Sequence, residues 1–209
     1  MNKHNGIFIT FEGGDGVGKS THIKKLKEKF EAEGREVLII REPGGTKIGE
    51  KIRTILLDNE NSEMTSAAEL LLYEASRSQI VEEKIKPALQ EGKVVLCDRF
   101  FDSSVAYQGF ARGLQVDFIK ELNLFATGGL VPDKTIILFA DTVENSIYQA
   151  TKVSGADRIE QEGVEFQKKV WDGFLALAKN EPERFSIVTL KDSKEDTFCD
   201  ILSELKDLI

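Results

Sequence analysis

Five short apolar runs punctuate the chain, and the stretches between them carry apolar residues at helical spacing. The runs are Ile7-Phe8-Ile9-Thr10-Phe11, Val37-Leu38-Ile39-Ile40, Val94-Val95-Leu96-Cys97, Thr135 to Ala140 and Ile187-Val188-Thr189-Leu190. Short continuous apolar runs bounded by polar or glycine-bearing segments read as strands buried on both faces. Between them, Ile23, Leu26 and Phe30 mark a first helix among lysines and glutamates, and Ile52, Ile55 and Leu56 a second between Ile48 and Leu57. A long helical region is expected from about Thr65 to Gln90, bent or ended by Pro87, because proline lacks the donor a helix interior needs. Further helices are expected over Val116 to Phe125, through Phe166, Val170, Phe174 and Leu177, and at the end through Phe198, Ile201, Leu202, Leu205 and Leu208. Gly109 to Gly113 reads as a loop, and Tyr148 to Glu165 is polar and weakly periodic. Alternating strands and helices predict an α/β fold with a mostly parallel five-stranded sheet flanked by helices. No repeat or linker divides residues 1–209, which read as a single domain.

The junction between the first strand and the first helix changes the picture from fold to chemistry. It reads Gly13-Gly14-Asp15-Gly16-Val17-Gly18-Lys19-Ser20, followed by Thr21, and fits the P-loop pattern of glycine, four residues, then Gly-Lys-Ser. Glycines let backbone N–H groups turn toward a phosphate, and the helix start adds unpaired donors and partial positive charge. Lys19 is then expected at the β- and γ-phosphates and the Ser20 hydroxyl on Mg²⁺. Ligands of such sheets bind at the carboxyl ends of the strands, which here also carry Arg41-Glu42-Pro43, Asp98-Arg99 and Asp141. Asp98, closing an apolar strand, is the candidate second Mg²⁺ residue.

Charge and composition exclude several other classes. The 209 residues carry a formal net charge of −8, which disfavours a nucleic-acid-binding surface. The arginines Arg41, Arg53, Arg77, Arg99, Arg112 and Arg158 lie in the expected site loops and helices, where guanidinium groups would offset gathered phosphate charge. His4 and His22 are the only histidines and both read as surface residues, so no familiar catalytic base is present; phosphoryl transfer is mainly positioning and charge stabilisation and needs none. Cys97 and Cys199 read as small buried hydrophobes of a reducing compartment, and Trp171 as packing. The chain start lacks a signal-peptide core and no apolar run is long enough to span a membrane, which points to the cytoplasm.

Four blocks taken together resemble the thymidylate kinase family along nearly the whole chain. They are Phe11-Glu12-Gly13 through Thr21, Arg41-Glu42-Pro43-Gly44-Gly45-Thr46, Asp98-Arg99-Phe100 and Asp102-Ser103-Ser104-Val105-Ala106-Tyr107-Gln108-Gly109. The resemblance implies a P-loop NTPase of nucleoside monophosphate kinase fold with a short mobile lid. It implies phosphorylation of dTMP to dTDP by ATP with Mg²⁺, and a homodimer. By the same resemblance, Asp15 meets the sugar 3′-hydroxyl, Arg53 and Arg99 grip the dTMP phosphate, and Arg41 lies nearby. Tyr73 stacks on thymine, Arg77 donates to a thymine carbonyl, Ser104 and Gln108 read the base edge, and Tyr107 crowds the 2′ position. The helix from Thr65 and the segment Val116 to Phe125 are the expected dimer surfaces.

The chain departs from the family pattern at the lid, expected over residues 149–162. Family members with glycine at the Gly16 position supply catalytic arginines from this lid, whereas here its basic cluster is reduced to Lys152, with Arg158 in an Asp-Arg-Ile-Glu run. An arginine finger is worth about 10³–10⁵ in rate, so Lys152 or Arg158, with Arg112 a third candidate, is expected to take that role. Three other readings stay open on sequence alone: a kinase of another monophosphate such as dUMP; a nucleotide-dependent switch or regulatory binder, although the Asn-Lys-x-Asp guanine reader of GTPases is missing; and, given the reduced lid, a protein that binds nucleotides but turns over slowly.

Overall fold

The computed structural model describes residues 5–140, 142, 145, 157–159 and 161–208. Five strands form one sheet: β1 (Ile7–Glu12), β2 (Val37–Arg41), β3 (Val94–Asp98), β4 (Lys134–Phe139) and β5 (Phe185–Thr189). All pair in parallel, in the order β2-β3-β1-β4-β5. Each expected apolar run is a strand, with β5 starting two residues earlier than the pattern indicated because Phe185 is buried against Thr135 of β4.

Period-two alternation sends the side chains of β1 to opposite faces. Ile9 and Phe11 pack with Leu26 and Phe30 of α1 (Lys19–Ala32) and Ile201 and Leu205 of α8 (Lys194–Leu205). Phe8 points the other way, with Val95 and Cys97 of β3, onto Ile80 of α3 (Ser66–Ile80) and Leu89 of α4 (Lys86–Gln90). On that second face, α6 (Val116–Thr127) and α7 (Val164–Asn180) bring Ile119, Val170, Trp171 and Phe174 against Ile137 and Phe185. Trp171 is therefore core. Burying one such side chain contributes roughly 1.5–3 kcal/mol, so both faces anchor the sheet firmly. Arg184 clamps the same layer with a bidentate pair, its Nη1 donating to Asp102 Oδ2 at 2.7 Å and its Nη2 to Oδ1 at 2.9 Å.

Register aligns the functional ends of three strands. Phe11 and Arg41 both pair with Asp98 across β3, so the strand ends of β1, β2 and β3 finish level. The chain leaves β1 with β3 on one side and β4 on the other, the switch point at which open α/β sheets hold ligands.

Four expectations need correction. The region from Thr65 to Gln90 does not break at Pro87. It runs through α3, a π-helical turn over Val81–Ile85, and α4, with Pro87 in the first turn of α4. The wider turn, in which Lys86 N–H reaches the Val81 carbonyl, absorbs the missing donor and bulk of the ring. Residues 109–111 are not a loop but the end of a second π-helical segment, Val105–Ala111, that continues α5 (Phe101–Ser104); the chain turns only at Gly113, where φ is +78°. His22 is buried, not exposed, because its ring lies parallel to Phe198 where α1 meets α8. Cys199 is exposed, although Cys97 is buried as expected.

Candidate active site

The loop between β1 and α1 takes its shape from glycine. Gly13 has φ +124° and a Cβ there would lie 2.5 Å from the Leu138 carbonyl oxygen, so no other residue fits. Gly18 caps α1 at φ +88°. Lys19, the first residue of the helix, folds back: its Nζ donates to the carbonyls of Gly13 at 3.1 Å and Gly14 at 2.7 Å. The ammonium lies 3.8 Å from Asp15. Burial lowers the Lys19 pKa, and nearby Arg99 lowers it further. Ser20 Oγ donates to Asp98 Oδ2 at 2.9 Å, which brings the end of β3 against the start of α1.

Arg99 follows at φ +66°, the only non-glycine residue with positive φ among the described residues. Strain of this kind persists where the surroundings over-determine it, and it clusters at functional sites. The turn aims the side chain inward: Nη2 donates to Asp15 Oδ1 at 2.8 Å, while Nη1 is buried without a partner. Burial would push the Asp15 carboxyl up, but Arg99 and Lys19 outweigh it and hold it at about 2.

Two cavities meet at these residues. The phosphate cavity, so termed for its P-loop lining, is about 340 Å³ and is lined by Gly16, Gly18, Lys19, Ser20, Thr21 and Asp98, with Arg41 at its edge. A narrower one of about 120 Å³ is lined by Tyr73, Arg77, Ser103, Ser104, Tyr107 and Gln108. Asp15, Glu42, Arg53 and Arg99 line both. One cleft thus has P-loop residues in one half, Tyr73 and Tyr107 in the other, and two arginines at the junction.

The narrow cavity is assembled by helices. Glu69, Tyr73 and Arg77 recur at four-residue spacing along α3 and so share one face. Tyr73 and Tyr107 are both raised above the ordinary phenol range by burial, Tyr107 to about 12, so both rings stay neutral. The Arg99 guanidinium sits 5.4 Å from the Tyr107 ring centre. Arg77 is buried and heavily engaged: Nε donates to Glu42 at 2.8 Å, and Nη1 to Ser104 at 2.9 Å, to Asn123 at 3.0 Å and to Glu74.

Other candidates lie elsewhere. Arg41 is half exposed and turned along the rim, its Nη2 on Glu50 and its Nη1 on the Pro43 carbonyl; it lines the phosphate cavity and not the narrow one. Arg53 Nη1 donates to the same carbonyl at 3.0 Å. Arg158 lines neither cavity: it is buried, donating from Nε to the Leu56 carbonyl at 3.0 Å and pairing with Glu69 at 2.6 Å. Arg112 also lines neither, held by Glu69 and Glu162 and stacked over Phe166. Lys152, Asp141 and most of the lid lie outside the described residues.

Several carboxylates that the sequence did not single out also shape the site. Glu42 touches both cavities and is raised to about 7 by burial, against the pull of Arg77. Glu12 accepts from Phe100 N–H at 2.8 Å and Ser103 Oγ at 2.6 Å, bracing the turn that carries Arg99; burial and Asp102 raise it to about 7. Glu69 and Glu74 lie on the buried face of α3, which also carries Ser76 and Arg77, and no local pattern in the sequence marks them.

The oxygen set suits a hard, hydrated cation. Ser20 and Asp98 present a hydroxyl and a carboxylate side by side in the phosphate cavity, and no cluster of three metal-binding side chains occurs among the described residues. Mg²⁺ takes few protein ligands and completes its shell with phosphate and water.

Comparison with known proteins gives a consistent result. The thymidylate kinase family model matches residues 11–201. A thymidylate kinase of Caldanaerobacter subterraneus subsp. tengcongensis is 50% identical over 183 residues, 88% of this chain and 86% of that protein. One of Pelotomaculum thermopropionicum is 45% identical over 204 residues, covering 98% and 94%. A crystal structure of thymidylate kinase from Ehrlichia chaffeensis superposes with a TM-score of 0.76 at 32% identity, covering 96% of this chain and 98% of that one.

Proposed function

The chain belongs to the thymidylate kinase family, and from that premise we propose that its cleft seats two nucleotides end to end. It is an ATP-dependent nucleotide kinase that phosphorylates dTMP to dTDP. The observation that carries the proposed arrangement is the pair of cavities joined by Arg53 and Arg99. In it, dTMP enters the narrow cavity with its base on Tyr73 and its edge toward Arg77, Ser104 and Gln108. Tyr107 crowds the 2′ position, and Asp15 accepts from the 3′-hydroxyl. Arg53 and Arg99 hold the 5′-phosphate, and Arg41 adds positive charge at the rim. ATP lies on residues 13–21, with Lys19 on the β- and γ-phosphates. Ser20 and Asp98 would hold Mg²⁺, which when bound neutralises charge across those phosphates. A dTMP phosphate oxygen is already an anion, so it attacks the γ-phosphorus without a base and ADP leaves. Arg99 faces the charge that spreads over the transferring group. Residues 1–209 act in this reading as a single domain with a lid at about 149–162. Within it, Lys152 is the remaining candidate for contact with the phosphates, since Arg158 is committed to Glu69 and the Leu56 carbonyl.

A coupled ADP-release assay, with dTMP, dUMP and dCMP offered in turn, tests the substrate. Turnover should be fastest with dTMP. An inhibitor joining adenosine to thymidine through phosphates should compete with both ATP and dTMP. Competition with ATP alone rejects the end-to-end arrangement.

We also propose a homodimer. α2 (Lys47–Leu57) packs on α3 and α3 on α6, and this layer leaves Ile48, Ile55, Leu71, Phe118, Leu124 and Phe125 exposed, Phe125 by 83%. A run of large apolar side chains on neighbouring helices is unusual on a monomer, and a two-fold copy of the same face would cover it. Light scattering should give twice the chain mass at micromolar concentration, and Phe125→Glu should give the single-chain mass. A wild-type monomer under those conditions rejects the dimer. No described helix is long and apolar enough to cross a membrane, and we place the enzyme in the cytoplasm.

A further inference from the structure

Glu69 lines neither cavity, yet it is fully buried and receives four hydrogen-bonding or ion-pair contacts. Its Oε1 accepts from Gln108 Nε2 at 2.8 Å and Arg112 Nε at 3.2 Å. Its Oε2 accepts from Arg112 Nη2 at 3.1 Å and Arg158 Nη2 at 2.6 Å. Those four donors fill the acceptor capacity of a carboxylate. Burial would raise the Glu69 pKa, but the hydrogen bonds from Arg112, Gln108 and Arg158 outweigh it and hold the group below the ordinary value. Glu69 is therefore an anion that can only accept.

An acceptor-only neighbour decides which way an amide points. Gln108 has one donating and one accepting end, and both ends are compatible with the same shape. Turning its oxygen toward Glu69 would set two acceptors 2.8 Å apart in a buried place. The nitrogen must face Glu69, and the carbonyl end is the one left for the narrow cavity that Gln108 lines. A cavity that offers an acceptor at this point takes a base with an N–H there. Thymine and uracil have that N–H at N3; cytosine has a lone pair.

We propose that Glu69 is a positioning residue that fixes the Gln108 amide and thereby makes the cavity select an N3–H pyrimidine. Arg112 and Arg158 act through it by keeping it ionised. This rests on the reading of the narrow cavity as the dTMP site. It also gives Arg158 a defined role remote from the phosphates.

The test compares Glu69→Gln with wild type, using dTMP, dCMP and N3-methyl-dTMP. The substituted amide has the same shape as the carboxylate but carries a donor, so it allows the Gln108 amide to turn over. Arg77, which faces the base edge in the proposed pose, is the same in both proteins and cancels from the comparison. The ratio of kcat/KM for dTMP over dCMP should fall about tenfold or more in Glu69→Gln, the scale of at least one net hydrogen bond. Glu69→Asp, which keeps the charge, should retain most of the ratio. Equal loss for both substrates in Glu69→Gln would mean a purely structural role and overturn the proposal. If Glu69→Gln does not fold, wild type decides: it should reject N3-methyl-dTMP and dCMP while accepting dTMP. Wild-type protein that phosphorylates dTMP and dCMP equally overturns the role of Glu69 and leaves the kinase reading intact. Wild-type protein that phosphorylates neither overturns both.

Discussion

Arg99→Ala is expected to lower kcat/KM for dTMP about 10³-fold, because one side chain serves both halves of the cleft. Arg99 Nη2 is held by Asp15 and Nη1 is buried with nothing to donate to, so the fork is half anchored and half waiting for an anion. Arg99→Lys keeps the charge and loses the planar fork, and should recover only part of the activity. Stability should respond differently from activity. Lys19 stays 3.8 Å from Asp15, so the carboxylate keeps one cation, and the cost of losing the Arg99 pair is the same for any substitution that removes the guanidinium. The backbone at residue 99 sits at φ +66°, where a side chain with Cβ is strained by about 1–2 kcal/mol and glycine is not. Arg99→Gly should thus be as inactive as Arg99→Ala and melt several degrees higher. Steady-state kinetics and thermal melts on the same preparations check both parts. An Arg99→Ala enzyme within tenfold of wild type removes Arg99 from the transition state.

The pattern of apolar runs made the sheet legible because the inner strands β1, β3 and β4, buried on both faces, leave an unbroken signal, and the edge strands β2 and β5 keep it although Ile39 and Ile187 are exposed. The loop at residues 13–20 was legible for a different reason. Its glycines serve backbone geometry, so the motif is local and carries its own context. What stayed hidden is what depends on distance. Nothing in the order of residues 69, 108, 112 and 158 announces that one carboxylate collects the other three. His22 looked solvent-facing because its helix neighbours are lysines, but Phe198 arrives from 176 positions away to cover it. The π-helical turns at Val81–Ile85 and Val105–Ala111 were also invisible, since a single widened turn changes the period too briefly to register. Arg158 shows the converse limit: a basic residue beside a lid suggests phosphate chemistry, yet the fold commits it to Glu69 and the Leu56 carbonyl.

Lys19→Met should remove at least 10³-fold from kcat, in the range set by loss of a preorganised charge at the transferring group. The KM for dTMP should move only a few-fold, because Lys19 lines the phosphate cavity and not the narrow one. That split distinguishes it from Arg99, whose loss acts on both. The same substitution should not weaken the fold. Lys19 is 6% exposed, and burial and Arg99 lower its pKa, so the folded state binds this proton less readily than the unfolded chain does. The sign follows from linkage: a base with a lowered folded pKa costs stability while the unfolded chain still holds the proton, and the cost fades as pH rises through the ordinary lysine value. Wild type should therefore gain stability relative to Lys19→Met as the solution is made alkaline, and Lys19→Met should melt at or above the wild-type temperature at neutral pH. The buried carbonyls of Gly13 and Gly14 lose a donor in the variant, a cost of about 1–3 kcal/mol that is offset by removing a buried charge whose desolvation costs several kcal/mol. A methionine variant that melts well below wild type at neutral pH would show the lysine to be a structural pin first; one that is stable and still turns over would take Lys19 out of the chemistry.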